Sequence, residues 1–346
     1  MDKILKTTFI LAAAGMMSAA ATVSAQPNTK LRPDKTVLLY QEAPVEIKDP
    51  VQGKTTEALG LEMKHDNGLA GDETMNQNGN IGNISSLARF DLYFPKKGNG
   101  QMVVVCPGGG YSIVSSYNEG VYVADWMLSR GIAVAVVKYR LPGGHWEVPL
   151  DDVHNVFRYC REHAGEWGID QIGVMGFSAG GHLAASATTL YTDKVTRPDF
   201  SILIYPVIAM DNIPSHAGSK VNLIGKDEVW TSTEGKTADE WLKDQELHKD
   251  LIRKYSLYQD VTTDTPPVFL THCSDDPTVP VVNSIVFYNA LKEKGHNPEM
   301  HIFPYGGHGW GFSSAKFVKK DKFGYARSEF ENSLSRWLES VRADGK

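Results

Sequence analysis

The sequence has few cysteines, no surplus of basic residues and, after its N-terminus, no long hydrophobic run. Three cysteines occur in 346 residues, at Cys106, Cys160 and Cys273. All three lie in apolar stretches, so we predict buried free thiols and no disulfide framework. Lysine and arginine together number 35 against 41 acidic residues, a formal net charge of −6. This balance argues against a nucleic-acid partner, and the lack of a second apolar stretch of membrane-spanning length argues against a membrane partner.

Sequence patterns for metals and phosphate-bearing cofactors are also missing. The chain has no H-E-x-x-H motif and no closely spaced pair of cysteines, which are the usual signs of a zinc site. The glycine-rich stretch at 107–110 is not followed by Lys-Ser or Lys-Thr, and it does not match G-x-G-x-x-G. These differences exclude the common nucleotide-binding loops. We therefore expect no metal and no cofactor.

The first 25 residues have the composition of a secretory signal peptide. Two lysines precede an apolar run at 7–17, and Val23-Ser24-Ala25 fits the small-x-small rule for cleavage. The run is about a dozen residues long, which is too short for a stable membrane span. The sequence thus predicts an exported protein, periplasmic or extracellular, with a signal peptide at 1–25, an N-terminal lead at 26–84 and a main domain at 85–346.

Within the main domain, short apolar runs alternate with amphipathic segments. The predicted strands are 88–94, 101–106, 132–137, 171–177, 200–207, 267–273 and 299–303, and the predicted helices are 117–130, 149–167, 179–190, 281–294 and 328–342. This alternation indicates an α/β fold, with a mostly parallel central sheet and helices on both faces. The polar stretch at 211–262 is longer than an ordinary connection. It is consistent either with a cap insertion over the active face or with a surface excursion.

The most informative motif is Gly176-Phe177-Ser178-Ala179-Gly180, a G-x-S-x-G pentapeptide between a predicted strand and a predicted helix. A serine nucleophile at this position projects from a sharp turn, and the flanking glycines leave room for the turn and for close packing of the helix on the strand. The N-terminus of the following helix also supplies positive potential where an oxyanion forms. Ser178 is therefore the predicted nucleophile.

A serine hydroxyl needs a base, and the chain offers an acid and a histidine in the order that this motif requires. Asp275 and Asp276 follow the predicted strand at 267–273, and His308 lies in a glycine-rich loop after the predicted strand at 299–303. Loops that follow parallel strands gather at one edge of the sheet, so these groups are expected to meet Ser178 there. The two aspartates are adjacent, and their spacing alone does not choose between them.

A second glycine-rich loop, Pro107-Gly108-Gly109-Gly110, follows the predicted strand at 101–106. Consecutive glycines allow the backbone to turn toward the nucleophile and to direct its N–H groups into the site. Together with the N–H group of Ala179, these groups predict an oxyanion hole, which usually makes the largest single contribution to acyl transfer.

Together these motifs resemble the α/β-hydrolase superfamily, and in detail the exported carbohydrate esterases of the xylan and feruloyl esterase branch. The resemblance rests on the segments 107–111, 139–142, 149–152, 176–184, 265–270, 275–280 and 306–309. It runs from residue 85 to residue 340 and implies that 85–346 is the catalytic domain. The lead and part of the 211–262 stretch are not covered by it.

The resemblance implies roles for individual residues. Ser178 becomes the nucleophile and His308 the general base and then acid. Asp276 becomes the acidic partner, because in these hydrolases the acid usually lies four residues before the proline of an Asp-x-x-Val-Pro turn. The oxyanion donors fall on Ala179 and on Gly109 or Gly110. Relatives with an H-G-G-G loop have histidine where this chain has proline.

The expected activity is that of a serine esterase that removes O-acyl groups, acetyl or feruloyl, from plant polysaccharides such as xylan. Because aromatic faces pack on sugar rings, Tyr111, Trp146 and Trp310, which stand near the predicted site loops, are the expected substrate-binding residues. Glu119 could bind a sugar hydroxyl or satisfy a helix N-terminus, and we prefer the second interpretation. Two alternative functions remain: a peptidase of the prolyl-oligopeptidase type, and a sugar-binding protein with an inactive triad.

Overall fold

The computed structural model describes residues 27–314 and 316–344, so the predicted signal peptide at 1–25 lies outside the described residues. The strands are β1 (Lys35–Leu38), β2 (Thr55–Ala58), β3 (Thr74–Met75), β4 (Asn80–Gly82), β5 (Arg89–Tyr93), β6 (Gln101–Cys106), β7 (Ile113–Ser115), β8 (Ala133–Lys138), β9 (Gln171–Phe177), β10 (Ser201–Ile204), β11 (Val268–Cys273) and β12 (Glu299–Phe303). The helices are α1 (Tyr122–Leu128), α2 (Val148–Trp167), α3 (Ser178–Thr189), α4 (Ala217–Ile224), α5 (Asp227–Thr231), α6 (Ala238–Lys254), α7 (Val282–Glu293) and α8 (Arg327–Asp344).

Nine of these strands form the central sheet, in the order β12-β11-β10-β9-β6-β8-β5-β1-β2. The six strands from β12 to β8 pair in parallel, and so do β1 and β2. Strand β5 pairs antiparallel with both of its neighbours. The parallel part follows from the alternation of strands and helices along the chain, because parallel neighbours need a crossover connection. The predicted α/β class with a mostly parallel sheet is confirmed.

Two apolar cores lie on the two faces of this sheet. On β6, Met102 and Val104 belong to one core, whereas Val103 and Val105 belong to the other, because successive side chains of a strand point to opposite faces. Residues of α2, α3 and α7 fill the first core, and residues of α1 and α8 fill the second. Helices therefore cover both faces, and the loops at the carboxyl edge of the parallel strands are left to form the site.

The N-terminal lead is part of the central sheet. Strand β1 pairs with β5, and β2 pairs with β1 at the edge of the sheet. The buried ammonium of Lys138 on β8 binds Asp49 of the lead and, at 2.6 Å, Asp91 on β5. Buried charges are tolerated when they are paired in this way. The lead at 26–84 therefore adds two strands to the sheet of the predicted domain at 85–346, and the boundary between them stays a prediction.

Other features differ from the predicted elements only locally. The predicted helix at 117–130 begins with a π-helical turn at Tyr117–Val121, which precedes α1. Strands β3, β4 and β7 form a small antiparallel sheet beside the main one. The stretch at 211–262, called the insertion below, contains α4, α5, α6 and a 3₁₀ turn at Leu257–Asp260. The three cysteines are buried and free, as predicted.

Candidate active site

The serine of the G-x-S-x-G motif occupies the turn between β9 and α3. Its backbone is left-handed, with φ of 54° at Ser178, a conformation that non-glycine residues adopt only under constraint. A Cβ at Gly176 would lie 2.1 Å from the carbonyl oxygen of Gly180, and a Cβ at Gly180 would lie 2.1 Å from the carbonyl oxygen of Cys106. Both glycines are therefore required for the close approach of strand, turn and helix, as the sequence predicts.

Two hydrogen bonds join Ser178, His308 and Asp276 into a chain. His308 Nε2 lies 2.8 Å from Ser178 Oγ, and His308 Nδ1 lies 2.6 Å from Asp276 Oδ2. A carboxylate only accepts, so Nδ1–H donates to Asp276 and Nε2 is left to accept the hydroxyl hydrogen of Ser178. The structure brings together the three residues that the sequence nominated, although they span 130 positions from Ser178 to His308.

The structure also distinguishes the two adjacent aspartates. Asp276 Oδ1 accepts the N–H groups of Thr278 and Val279, both at 2.9 Å, while its Oδ2 faces His308. Burial alone would raise the pKa of Asp276, but hydrogen bonds from His272 and His308 hold the pKa well below its ordinary value. Asp276 is thus kept ionised, as a partner of an imidazolium must be.

Asp275 points elsewhere and supports the histidine loop. Its Oδ1 accepts the N–H group of Gly307 at 2.8 Å, one residue before His308. It therefore has no direct bond to the imidazole among the contacts of the described chain. This geometry selects Asp276 as the acid of the triad, which spacing alone could not do.

The glycine-rich loop after β6 lies against the nucleophile turn. The backbone is left-handed at Gly109, Gly110 and Tyr111, with φ of 130°, 63° and 60°. Tyr139 fixes the start of the loop, because its hydroxyl donates to the carbonyl oxygen of Pro107 at 2.8 Å. The N–H groups of Gly109 and Gly110 have no acceptor among the described residues. They and the N–H group of Ala179, at the start of α3, are the oxyanion donors that the sequence nominated.

The prediction that Tyr111 binds substrate is wrong for its side chain, which is buried. Its hydroxyl lies 2.9 Å from His182 Nδ1. His182 Nε2 lies 2.9 Å from the carbonyl oxygen of Tyr255, so Nε2 carries the hydrogen and Nδ1 accepts from the tyrosine. Burial lowers the pKa of His182 to about 4, which keeps this ring neutral. The phenol of Tyr111 is thus committed to an internal hydrogen bond.

The prediction for Trp310 is wrong for a similar reason. The residue is 4% exposed, and its ring stacks on that of Phe323 with a centroid distance of 4.0 Å. It also meets Tyr205 edge-on at 4.9 Å. Trp310 belongs to the apolar core behind the histidine loop, where burial of its apolar surface stabilises the fold. Its position two residues after His308 correctly places it in the histidine loop. That position does not predict the direction in which its side chain points.

The insertion reaches the site at its first helix. Asn222 of α4 donates from Nδ2 to the carbonyl oxygen of Gly110 at 2.8 Å, and its own carbonyl oxygen accepts the N–H group of Gly144. His216 precedes α4, and a Cβ at Gly110 would lie 3.4 Å from its Cε1 atom. Burial and the charge of His308 lower the pKa of His216. The sequence analysis missed both residues, because their only signal is a position after a core strand.

Trp146, the third predicted substrate-binding residue, is half-buried beside the insertion. Its ring centroid lies 6.1 Å from that of Trp230, and the Trp230 indole donates to the carbonyl oxygen of Ile224 at the end of α4. Unlike Tyr111 and Trp310, Trp146 retains exposed surface. Its role in substrate binding therefore stays a prediction.

Glu119 does not satisfy a helix N-terminus, and that prediction is corrected. It is buried below the glycine-rich loop, where Oε2 accepts the N–H group of Gly108 at 2.7 Å and Oε1 accepts the hydroxyl of Tyr205 at 2.8 Å. Burial raises the pKa of Glu119, and the hydrogen bonds from Tyr205 and Gly108 act in the opposite direction. No sequence pattern names these partners, because they come from two other loops.

Two searches of the described residues bear on other kinds of site. Within 27–314 and 316–344, no group of three or more His, Cys, Asp and Glu side chains is arranged to hold a metal ion. In the same ranges, no helix is both long enough and apolar enough to cross a membrane.

The parallel sheet, the serine on the turn between β9 and α3, and a triad in the order serine, aspartate, histidine define an α/β-hydrolase. The chain belongs to the BD-FAE family, whose profile matches residues 90–291. Among curated relatives, the acetylxylan esterase of Xylanibacter ruminicola is 38% identical over 260 residues, 74% of this chain and 49% of that protein. The endo-1,4-beta-xylanase B of Butyrivibrio fibrisolvens is 32% identical over 231 residues, 62% of this chain and 33% of that protein. The chain thus spans about half of the first relative and a third of the second.

Solved structures agree on the fold. The acetyl ester-xyloside bifunctional hydrolase from Caldicellulosiruptor lactoaceticus superimposes with a TM-score of 0.59 at 33% identity, covering 74% of this chain and 88% of that one. A sugar hydrolase from Lactococcus lactis gives 0.59 at 24% identity over 80% of this chain and 100% of that one. The second likeness concerns the fold alone.

Proposed function

We propose that the protein is a serine esterase that removes O-linked acyl groups, acetyl first, from xylan or its oligosaccharides. The observation that carries this proposal is the hydrogen-bonded chain from Ser178 Oγ through His308 to Asp276, at 2.8 and 2.6 Å. An acetylxylan esterase and an acetyl ester-xyloside hydrolase among the relatives support the choice of acetyl and of xylan. Feruloyl esters are the second acyl class, and the product assay below distinguishes the two.

In the acylation step, Ser178 Oγ attacks the ester carbonyl carbon while its proton passes to His308 Nε2. The carbonyl oxygen becomes an oxyanion, which accepts from the N–H groups of Ala179 and of Gly109 or Gly110. Asp276 stabilises the imidazolium and holds its orientation. The tetrahedral intermediate then collapses, the bond from carbon to the sugar oxygen breaks, and His308 protonates that oxygen as the sugar leaves.

In the deacylation step, His308 accepts a proton from water, and the resulting hydroxide attacks the acyl-enzyme carbonyl. The same N–H groups hold the second oxyanion. Collapse breaks the bond to Ser178 Oγ, which recovers its proton from His308, and releases the carboxylic acid. The cycle needs no group beyond those that the site contains and one water molecule.

Two further parts of the proposal concern the sugar and the location. The partly exposed ring of Trp146, next to Trp230, offers an aromatic surface for a sugar ring of the substrate. Export to the periplasm or the extracellular medium, where polymeric xylan is accessible, rests on the composition of residues 1–25 and agrees with a polysaccharide substrate.

The enzyme proposal is tested with short p-nitrophenyl esters. We expect the wild type to hydrolyse the acetate ester and the Ser178→Ala variant to lose at least about 10⁴-fold in kcat. A serine-directed fluorophosphonate should label the wild type stoichiometrically and leave the variant unlabelled. A wild type as inactive and as unlabelled as the variant would contradict the proposal and favour a sugar-binding protein.

The substrate is tested with acetylated xylan, acetylated glucomannan and feruloylated arabinoxylan, with products identified by mass spectrometry. We expect acetate from xylan at the highest rate. Release of ferulate instead would change the proposed acyl group from acetyl to feruloyl. Preferential deacetylation of glucomannan would change the proposed polymer from xylan to glucomannan. A dipeptide amide serves as the peptidase substrate, and its hydrolysis at a rate above that of the esters would overturn the esterase proposal.

A further inference from the structure

Glu119 is a buried carboxylate that the proposed mechanism does not use. It lies in the π-helical turn at Tyr117–Val121 that precedes α1, and it is 4% exposed. Single π-helical turns are uncommon and are found frequently at functional sites. A buried carboxylate is costly unless donors satisfy it, so its partners indicate what it holds in place.

The two oxygens of Glu119 take one donor each from two different loops. Gly108, in the loop that carries the oxyanion donors, gives its N–H group to Oε2 at 2.7 Å. Tyr205, which directly follows β10, gives its hydroxyl hydrogen to Oε1 at 2.8 Å. The pattern of two donors and no acceptor suits an ionised carboxylate, and hydrogen bonds to ions are stronger than those between neutral groups. Gly108 has no room for a side chain, because a Cβ would lie 2.5 Å from the carbonyl oxygen of Phe177 and 2.8 Å from Glu119 Oε2.

Tyr205 continues this connection to the histidine. Its backbone is left-handed, with φ of 37°, and its ring centroid lies 4.7 Å from that of His308. The same hydroxyl oxygen that donates to Glu119 accepts the N–H group of Gly311 at 2.8 Å, three residues after His308. Glu119, Tyr205 and Gly311 therefore link the oxyanion loop to the loop that carries the general base.

We propose that Glu119 is a positioning residue that, through Tyr205, fixes the oxyanion loop and the His308 loop relative to one another. This proposal rests on the proposed esterase function. Ser178 is already fixed by its own turn, whereas both of its partners, the oxyanion donors and His308, lie on loops. One carboxylate between those loops keeps the donors and the base aligned on the same carbonyl group. Small displacements of such groups reduce the rate of the chemical step rather than substrate binding.

The test compares Glu119→Gln, Tyr205→Phe and the double variant in ester hydrolysis. The glutamine amide can accept from only one of the two donors, and phenylalanine removes the hydroxyl while keeping the ring against His308. We expect each single variant to lose about tenfold or more in kcat, as for a hydrogen bond to a charged group, with KM within about twofold. Because both residues act through one connection, the double variant should lose no more than about threefold beyond the worse single variant.

A matched control is Glu57→Gln, which alters a similar pair away from the site. Glu57 Oε2 accepts the hydroxyl of Tyr159 at 2.7 Å, and this variant should keep the kcat of the wild type. Thermal unfolding shows whether each variant is folded, and Tyr205→Phe keeps the test decisive where Glu119→Gln does not fold. The rate of fluorophosphonate labelling gives a second measure of Ser178, His308 and oxyanion alignment that does not depend on the choice of ester.

The outcomes separate the two proposals. An active wild type whose folded Glu119→Gln and Tyr205→Phe variants retain kcat and labelling rate overturns the positioning role and leaves the esterase function intact. A change confined to KM also overturns it, because a positioning residue acts on the chemical step. A wild type that neither hydrolyses esters nor reacts with the fluorophosphonate overturns the esterase function and, with it, the positioning role.

Discussion

The carboxyl edge of the sheet and the insertion are built on different principles. Helix α3, which begins at the nucleophile, has eleven of its twelve residues buried, and its Gly180 lies against the backbone of β6. Helix α6 of the insertion has two of its seventeen residues buried. It begins instead with a local capping box, in which Thr237 and Glu240 satisfy one another's backbone N–H groups.

This difference shows how the atoms of the active site are held in position. The nucleophile turn is fixed by close packing at the sheet edge, where a Cβ added at Gly176 or Gly180 would lie 2.1 Å from a backbone carbonyl oxygen. The outer part of the insertion, α5 and α6, is mostly exposed, whereas Leu223, Leu251 and Tyr255 anchor the insertion in the core. Among the contacts of the described residues, α4 is the part of it that bonds to the glycine-rich loop. We therefore expect changes at the sheet edge to reduce kcat or stability, and changes in the insertion to act on KM or to have little effect.

The largest difference is expected between the two adjacent aspartates. Asp276→Asn leaves one oxygen where two are used: with that oxygen held by the N–H groups of Thr278 and Val279, an NH₂ group faces His308 Nδ1. The ring is then held in the wrong tautomer, and kcat should fall by about 10³- to 10⁴-fold. Asp275→Asn keeps an oxygen that can accept from Gly307 and should change kcat by less than about threefold. Steady-state kinetics on p-nitrophenyl acetate compare the two. Equal losses in both variants would contradict the assignment of Asp276 as the acid of the triad.

A smaller effect is expected from adding one methyl group beside the nucleophile. Gly180→Ala places a Cβ 2.1 Å from the carbonyl oxygen of Cys106 and should cost about 1–3 kcal/mol of unfolding free energy, or more. Gly165→Ala in α2 is the matched control, since a Cβ there meets nothing within 4 Å. It should stabilise the protein by up to about 1 kcal/mol through helix propensity. Urea denaturation measures both, and equal stability of the two variants would refute the packing argument.

A still smaller effect is expected where the insertion meets the oxyanion loop. His216 Nδ1 accepts the N–H group of Ser219, so Nε2 carries the ring hydrogen, and the ring lies beside Gly110 of the glycine-rich loop. His216→Asn keeps a side chain that can cap α4 but removes the ring. We expect KM on acetylated xylo-oligosaccharides to rise about three- to tenfold, as for one lost hydrogen bond, with kcat within about twofold. A loss in kcat with KM unchanged would place His216 in the chemical step.

The smallest effect is expected at the far side of the insertion. Thr237→Ala removes one half of the capping box of α6 and should cost about 1 kcal/mol of stability or less. Neither kcat nor KM should change, because α6 is not in contact with the triad. Calorimetry and steady-state kinetics on the same preparation test this expectation. A clear change in KM would show that the outer insertion closes over the substrate as a cap.

Some parts of the site could be predicted because their signals lie within a few residues. The turn at Ser178 needs glycines two residues away on either side, because larger side chains would clash there. This requirement is visible in the sequence as the G-x-S-x-G motif. The chain order of Ser178, the aspartates and His308 was equally accessible, since loops after parallel strands must meet at one edge. The strand at Gln101–Cys106 was predicted with its observed bounds, because an apolar run between turn residues is typical of a strand buried on both faces.

Other parts could not be predicted because they depend on side-chain direction after packing. Tyr111 and Trp310 adjoin the site in sequence, yet their rings turn into the core, where one binds His182 and the other stacks on Phe323. The sequence of the lead indicates only an extended segment. Its strand β1 forms by pairing with the free edge of β5, a partner that the local sequence does not name. The sequence shows that a residue is aromatic or that a segment is extended. It does not show which part of the protein that residue or segment packs against.

The sequence by itself determined the α/β class, the nucleophile turn, the histidine and the glycine-rich loop. Each of these follows from the spacing of residue types along a short stretch, through steric limits on the backbone and burial of apolar side chains. Only the tertiary structure brought His216 to the oxyanion loop and joined Glu119 to Tyr205 across 86 positions, and it placed Asp276, which the family resemblance had favoured over Asp275, on His308. These contacts depend on distances between atoms of separate loops, which no local pattern encodes and which exist only once the sheet has assembled.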